Sequence, residues 1–237
     1  MKITKLLRKM LPLKPCGAVI VAAGTASRMG GIDKILAPLD GEPVICHSLE
    51  AFQKSDVIWE IVVVTREELV APIEELCKKY PKVKAVIVGG ETRQDSVALG
   101  LEALSKDMDL AAVHDGARPL ISLEVIDRAV RAANSYSAAA PAIPVKDTVK
   151  MVEGGLAVST PDRSKLRAVQ TPQVFGRELL RAALYKVQKE KTSVTDDCAA
   201  VERLGVKVKM VEGDERNIKI TTPMDLVVAR MLMEEEK

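Results

Sequence analysis

The chain has 237 residues, 47% of them apolar, which is enough for one large domain with a buried core. Its 35 basic and 33 acidic residues leave a net charge of +2, and only 3% of the residues are aromatic. So small a charge and so few stacking side chains argue against a nucleic-acid-binding protein and against a protein held on membranes by charge.

The cysteines and the N-terminal residues indicate a cytoplasmic protein. Four cysteines without a Cys-x-x-Cys pair, and only two histidines, favour a reducing compartment and argue against a structural zinc site. No apolar run approaches the roughly 20 residues that a membrane-spanning helix needs. Residues 1–15 are basic but too interrupted for a secretory signal, so we expect a loosely ordered extension rather than an amphipathic membrane anchor. Residues 16–237 are predicted to form a single domain.

From residue 16 onward, runs rich in Val, Ile and Ala alternate with segments of helical period. This alternation predicts a Rossmann-like α/β fold, with a mostly parallel sheet covered by helices on both faces. The predicted strands are 17–23, 58–65, 83–88, 110–114, 138–144 and 206–211. The predicted helices are 43–54, 67–79, 94–105, 122–134, 177–190, 196–204 and 223–235. Thr92 with Asp95 suggests a capping box, and Thr222 supplies a capping hydroxyl with Asp225 in the following turn.

Residues 145–160 break this alternation. They read as two β runs joined by a turn at Glu153-Gly154-Gly155, because glycine accepts the positive φ angles of tight turns. A two-stranded ribbon is marginally stable alone, so its apolar side chains need a covering surface. The hairpin, with its flank to about residue 163, is either a dimerisation arm or a ribbon folded back on its own domain, and composition does not separate the two.

The candidate ligand-binding residues follow the predicted strands, where open parallel sheets bind their ligands. After the first strand comes a loop of small residues that carries Arg28 and Lys34, so backbone N–H groups and two cations could meet a phosphate there. An ordinary surface loop is the alternative, and the loop matches neither dinucleotide nor Walker A patterns. After the third strand, Gly90 permits close approach to a helix start, and Arg93 is interpreted as a surface cation.

The fourth strand ends in His114-Asp115, followed by Arg118. A carboxylate at the end of a buried strand needs a cation or a metal to offset its lost hydration. Asp115 is therefore a candidate metal ligand and Arg118 a neighbouring phosphate clamp. His114 is interpreted as a packed histidine, because the chain has no G-x-S-x-G nucleophile elbow.

Seven segments occur in a characteristic order: A-A-G-x-x-x-R-M-G, G-G-x-x-R-x-D-S, V-H-D-G-A-R-P, P-V-K-D-T, Q-T-P-Q, T-D-D and N-I-K-I-T-x-P. Together they resemble the 2-C-methyl-D-erythritol 4-phosphate cytidylyltransferase family from about residue 16 to the C-terminus. The resemblance implies that CTP and methylerythritol phosphate react to give the CDP-linked alcohol and pyrophosphate, in non-mevalonate isoprenoid biosynthesis. It also implies a nucleotidyltransferase fold, Mg²⁺ or another divalent cation, and a homodimer formed through the arm.

The resemblance further implies roles for individual residues. The implied catalytic residues are Arg28, Lys34 and Lys219. The implied nucleotide-binding residues are Ala22, Ala23, Gly24, Gly90, Glu91 and Ser96. The implied acceptor-binding residues are Asp115, Arg118, Thr148, Arg163, Thr171, Thr195 and Lys219, with Thr148 and Arg163 supplied by a partner's arm and Asp115 also holding the metal.

Two positions depart from the family pattern, and two other functions stay open. Ala26 stands where the family usually has glycine, and Asp33 stands where it commonly has proline, next to Lys34 whose field it could weaken. One alternative is a cytidylyltransferase for another polyol phosphate, such as ribitol 5-phosphate. The other is a non-catalytic nucleotide-binding module, against which the retention of the whole charged set argues.

Overall fold

The computed structural model describes residues 12–24 and 33–235. The strands of this part are β1 (Cys16–Val21), β2 (Pro38–Leu39), β3 (Glu42–Pro43), β4 (Glu60–Thr65), β5 (Val83–Val88), β6 (Leu110–Asp115), β7 (Ala138–Pro144), β8 (Met151–Glu153), β9 (Leu156–Ser159), β10 (Arg167–Val169), β11 (Gln173–Gly176) and β12 (Lys209–Glu212). The helices are α1 (Val44–Lys54), α2 (Glu67–Cys77), α3 (Arg93–Ala103), α4 (Leu123–Tyr136), α5 (Arg177–Lys189), α6 (Asp197–Glu202) and α7 (Pro223–Glu234). The prediction for residues 1–15 falls almost wholly outside the described residues.

One large sheet organises the described residues. Eight strands join in the order β10-β7-β11-β6-β1-β4-β5, with β12 beside β7. The neighbours β6, β1, β4 and β5 are all parallel, as are β7 and β12. The predicted mostly parallel sheet is confirmed. The antiparallel strands β10 and β11 were not predicted, because three and four residues are too few to show a strand period.

Helices cover both faces of this sheet, as predicted. Successive residues of β1 point to opposite sides, so Ala18 and Ile20 belong to one buried cluster and Val19 belongs to another. The first cluster receives side chains from α1, α2, α4 and α7, and the second from α3, α5 and α6. None of the helices in residues 12–24 and 33–235 is long and apolar enough to cross a membrane.

The start of α3 is held at the carboxyl edge of the sheet. Thr92 Oγ1 accepts a hydrogen bond from the Asp95 N–H at 3.1 Å, and the Asp95 carboxylate accepts one from the Thr92 N–H at 3.1 Å. The predicted capping box is therefore confirmed, and α7 has another between Thr222 and Asp225. Gly100 lets α3 lie close against β1, since an added Cβ would come 2.4 Å from Val19 Cγ1.

Strands β8 and β9 form a separate antiparallel ribbon. Gly154 and Gly155 make its turn with φ of 55° and 83°, at the position that the sequence indicated. Pairing starts at Met151, so residues 145–150 lie outside the ribbon. Every residue of both strands is exposed, which shows that the described part of the same chain does not cover the ribbon.

Candidate active site

A cavity of about 270 Å³ opens at the carboxyl edge of the sheet. Its walls come from the residue stretches that follow β1 and β5, from the end of β6, and from the segment after β12. Nine residues that the sequence analysis assigned to ligand binding or catalysis line it: Ala22, Ala23, Gly24, Lys34, Gly90, Glu91, Ser96, Asp115 and Lys219. Arg28 and Ala26 lie outside the described residues, so the expectations for them stay predictions.

Asp115 is the electrostatic centre of this cavity. Its carboxylate lies 2.8 Å from Lys219 Nζ, 3.5 Å from an Arg93 guanidinium nitrogen and 3.8 Å from Arg118 Nε. Burial acts to raise the pKa of Asp115, but Lys219, Arg93 and Arg118 outweigh it and hold that pKa far below its ordinary value. Asp115 is therefore ionised at neutral pH, and the three cations outnumber the two carboxylates they contact, since Arg93 also pairs with Asp197.

Lys219 reaches the cavity because the segment before α7 docks against the end of β6. The Ile220 N–H donates to the Ala117 carbonyl at 2.8 Å, and Arg118 donates to the Asn217 carbonyl at 2.6 Å. Asn217 is fully buried and donates to the Thr171 carbonyl at 2.9 Å. These bonds bring a residue late in the sequence to the end of a central strand.

Arg93 belongs to the cavity and was missed by the sequence interpretation, which made it a surface cation. It is the first residue of α3, and its guanidinium bridges Asp115 and the fully enclosed carboxylate of Asp197, 2.8 Å away. Burial raises the pKa of Asp197, against the effect of Arg93. Gln173 fixes the start of α6 by accepting bonds from the Asp197 and Cys198 N–H groups, both at 3.0 Å. The capping box was the available signal, since it placed Arg93 at a helix start beside the ligand edge.

The glycine corner after β5 is held by Ser96. The Ser96 hydroxyl accepts from the Gly90 N–H at 3.2 Å and donates to the Thr92 carbonyl at 3.0 Å. A Cβ on Gly90 would lie 2.3 Å from Asp95 Cβ, so only glycine fits there. Ser96 is buried and acts here on the backbone that faces the cavity.

Lys34 faces the cavity beside Gly24. An ideal Cβ on Gly24 would lie 3.6 Å from Lys34 Nζ, which places the ammonium against the backbone that follows β1. The Asp33 carboxylate is engaged by Arg66 and accepts from the Ile35 N–H at 2.9 Å. Arg66 therefore neutralises the Asp33 carboxylate, which opposes the expected weakening of the Lys34 electric field by Asp33.

Five residues assigned to the acceptor or its surroundings do not line the cavity. Arg118 supports Asp115 from beneath it, and the buried Thr171 hydroxyl accepts from the Asp115 N–H at 3.2 Å and contacts His114 Nδ1 at 2.9 Å. In this arrangement Thr171 holds the end of β6, and the direct substrate contact expected of it stays a prediction. Thr148, Arg163 and Thr195 are exposed.

His114 is a packed histidine, as predicted. Its side chain is fully buried, and its ring lies 4.8 Å from that of Phe52. Burial lowers the pKa of His114 to about 3, so the ring is neutral at physiological pH and cannot serve there as a charged phosphate ligand.

The donor set for a metal ion is sparse. The described residues contain no group of three or more His, Cys, Asp or Glu side chains that could hold a metal. Two carboxylates, those of Glu91 and Asp115, line the cavity, and nucleotide sites usually hold Mg²⁺ through one or two carboxylates together with substrate phosphates and water.

An open α/β sheet with a cationic cavity of small residues at its carboxyl edge is typical of proteins that act on phosphorylated nucleotides. Residues 16–235 match the model of the IspD family, 2-C-methyl-D-erythritol 4-phosphate cytidylyltransferase. The chain therefore belongs to this family of nucleotidyltransferases.

Individual relatives agree with the family match. A protein of that name from Caldanaerobacter subterraneus subsp. tengcongensis is 47% identical over 221 residues, covering 91% of this chain and 97% of the relative. One from Dehalococcoides mccartyi is 46% identical over 220 residues, covering 92% and 95%. The crystal structure of 4-diphosphocytidyl-2C-methyl-D-erythritol synthase from Anaerococcus prevotii is similar with a TM-score of 0.85 at 33% identity, covering 93% of this chain and 96% of that one.

Proposed function

We propose that the chain transfers the cytidylyl group of CTP to 2-C-methyl-D-erythritol 4-phosphate, the step of the non-mevalonate pathway that gives CDP-methylerythritol and pyrophosphate. An oxygen of the acceptor phosphate attacks the α-phosphorus of CTP. The new P–O bond forms as the bond from the α-phosphorus to the bridging α–β oxygen breaks, and the leaving group departs with the electron pair as pyrophosphate. The observation that carries the proposal is the convergence of Lys34, Lys219 and Arg93 on one small-residue cavity around Asp115.

The obstacle in this reaction is repulsion between two anions. A pair of unit charges 4 Å apart at an effective dielectric of 20 interacts by about 4 kcal/mol, so several cations are needed at the reacting phosphates. Lys34 and Lys219 line the cavity from opposite ends of the sequence. We assign both to charge stabilisation at the α-phosphoryl group, and we assign the same role to Arg28 from its position in the sequence.

The nucleotide lies, in this proposal, along the stretches that follow β1 and β5. The small side chains of Ala22, Ala23 and Gly24 leave backbone N–H groups accessible to phosphate oxygens. Gly90, Glu91 and Ser96 form another part of the cavity wall, and we assign the base and ribose to it. No general base is required, because the acceptor phosphate is already ionised at neutral pH.

Mg²⁺ or a similar ion would be held by Asp115, and it would supply further neutralisation of the triphosphate. The support is the ionised state of the Asp115 carboxylate and its place at the cavity wall. Arg93, Arg118 and Lys219 orient that carboxylate.

The acceptor site would be shared between two copies of the chain. The exposed fractions of Met151, Val152, Leu156 and Val158 in the ribbon are 55%, 58%, 75% and 51%, and such a ribbon needs a second surface for stability. A homodimer formed through the arm would cover these side chains and bring Thr148 and Arg163 to the partner's cavity, which would explain why neither lines the cavity at the sheet edge in its own chain. Arg118, Thr171 and Thr195 complete the acceptor assignments. A cytoplasmic location accords with four buried, unpaired cysteines.

The test is pyrophosphate release with Mg²⁺, each of the four nucleoside triphosphates and a panel of polyol phosphates. Release only with CTP and methylerythritol phosphate is the expected result. Release with ribitol 5-phosphate instead would move the chain to the other polyol phosphate, and CTP binding without turnover on any acceptor would make it a non-catalytic module. The Lys34→Ala variant is the control, since it should release pyrophosphate orders of magnitude more slowly.

A further inference from the structure

Arg66, at the junction of β4 and α2, contacts one residue on each side of positions 25–32. One terminal guanidinium nitrogen donates to the Gly24 carbonyl at 3.1 Å, and the other pairs with the Asp33 carboxylate. Its Nε donates to Glu68 Oε1 at 2.6 Å. All three nitrogens of the fork are thereby used, and two of them hold the residues on either side of 25–32.

Three hydrogen bonds hold the chain at Arg66 and at the residue before it. It is the N-cap residue of α2, where its carbonyl accepts from the Leu69 N–H at 3.0 Å. The preceding Thr65 accepts at its carbonyl from the Gly89 N–H at 2.7 Å and donates its hydroxyl to the Ala22 carbonyl at 3.4 Å. The guanidinium therefore extends from a rigid point of the sheet edge.

We propose that Arg66 is a positioning residue for the nucleotide half of the active site: by holding Gly24 and Asp33 together, it sets where Gly24 and Lys34 face the cavity. The inference rests on the proposed function, because Gly24 and Lys34 are there assigned to the nucleotide. Arg66 itself does not line the cavity, so it acts on CTP only through Gly24 and Lys34.

An ordinary surface ion pair is the competing interpretation, and such pairs contribute little. The side chains of Arg66 and Asp33 are only 22% and 23% exposed, and the guanidinium also bonds a backbone carbonyl. Lysine carries the same charge but lacks the planar fork, so it cannot bridge Gly24 and Asp33 in the same way. A bridge and a simple charge therefore predict different behaviour for Arg66→Lys.

The experiment measures kcat, the KM for CTP and the KM for the acceptor in Arg66→Ala, Arg66→Lys, Asp33→Asn and the Arg66→Ala/Asp33→Asn double variant. We expect both Arg66 variants to raise the KM for CTP about tenfold, with the KM for the acceptor changing less than about twofold. The double variant should be no worse than Arg66→Ala, because the two residues act through one contact. Arg131→Ala, which removes an exposed arginine paired with Asp127, is the matched control and should change none of these constants.

An unchanged KM for CTP in Arg66→Ala, wild-type constants in Arg66→Lys, or an equal rise in both KM values would overturn the proposal. A second measurement separates its failure from that of the proposed function. The Ile35 N–H donates to Asp33 at 2.9 Å, so its hydrogen exchange should become faster in Arg66→Ala but not in Arg131→Ala, whether or not the wild-type chain turns CTP over. Unchanged exchange at Ile35 would refute the link between Arg66 and Asp33.

Discussion

Replacing Lys219 by methionine tests the charge arrangement directly. Lys219 Nζ lies 2.8 Å from Asp115, so it is held at the cavity wall where the α-phosphoryl group is proposed to react. A cation about 4 Å from one unit of developing negative charge stabilises it by about 4 kcal/mol at an effective dielectric of 20, or about 10³ in rate. The side chain is 39% exposed, and solvent screening reduces the expected loss in kcat to about 10²–10³.

The assay is steady-state pyrophosphate release at saturating CTP and acceptor. Lys209→Met is the matched control, because the Lys209 ammonium lies 5.7 Å from the centre of the Tyr136 ring and does not line the cavity. Lys219→Arg should keep more activity than Lys219→Met. The fold should survive, since Asp115 keeps Arg93 and Arg118. A folded Lys219→Met variant whose kcat stays within about threefold of wild type would refute the assignment of Lys219 to charge stabilisation.

Three further outcomes are expected. Asp115→Asn should lower kcat and raise the Mg²⁺ concentration that gives half-maximal rate; an unaltered Mg²⁺ dependence would show that the carboxylate does not serve the metal. The pKa of His114 is about 3 in the folded protein and 6.5 in an unfolded reference. Because the unfolded chain takes up the proton first, the free energy of unfolding should fall by about 1.4 kcal/mol per pH unit as the pH drops from about 6.5 towards 3. Denaturant unfolding across this pH range should show that the free energy of unfolding falls less steeply with pH in His114→Gln than in His47→Gln. Equal slopes in the two variants would contradict the assignment of His114 as a buried neutral histidine. Thr148→Ala and Lys34→Ala, each inactive alone, should recover about a quarter of wild-type activity when their subunits are mixed, because half of randomly paired dimers carry one intact site; no recovery after confirmed exchange would argue against a shared site.

The parallel half of the fold could be predicted because its central strands, β1, β4 and β6, are buried on both faces. Such strands read as continuous apolar runs, and the run that became β4 is wholly buried. Strand β10 is exposed along its three residues, and β11 starts from a buried glutamine whose purpose is to hold α6. Neither has a pattern that local sequence reasoning detects, since their place is decided by partners distant in the chain.

Individual residues of the site could be predicted from the sequence, but the contacts between them could not. Small residues and charges after each strand could be recognised from their position alone. The partners of those charges could not, because Arg93 meets Asp197 across 104 positions and Asp115 meets Lys219 across a similar distance. The same limit applies to Asp33, whose partner Arg66 stands at the end of another strand.

The late position of Lys219 has a consequence for biosynthesis on the ribosome. Four of the eight strands of the sheet, β1, β4, β5 and β6, precede it by about a hundred residues or more, so a nascent chain already contains these parallel strands while Asp115 still lacks its nearest counter-ion. The charge arrangement around Asp115 is therefore completed only when translation is almost finished. A polypeptide released early, before the segment that follows β12, would contain all eight strands of the sheet but would lack both α7 and this counter-ion.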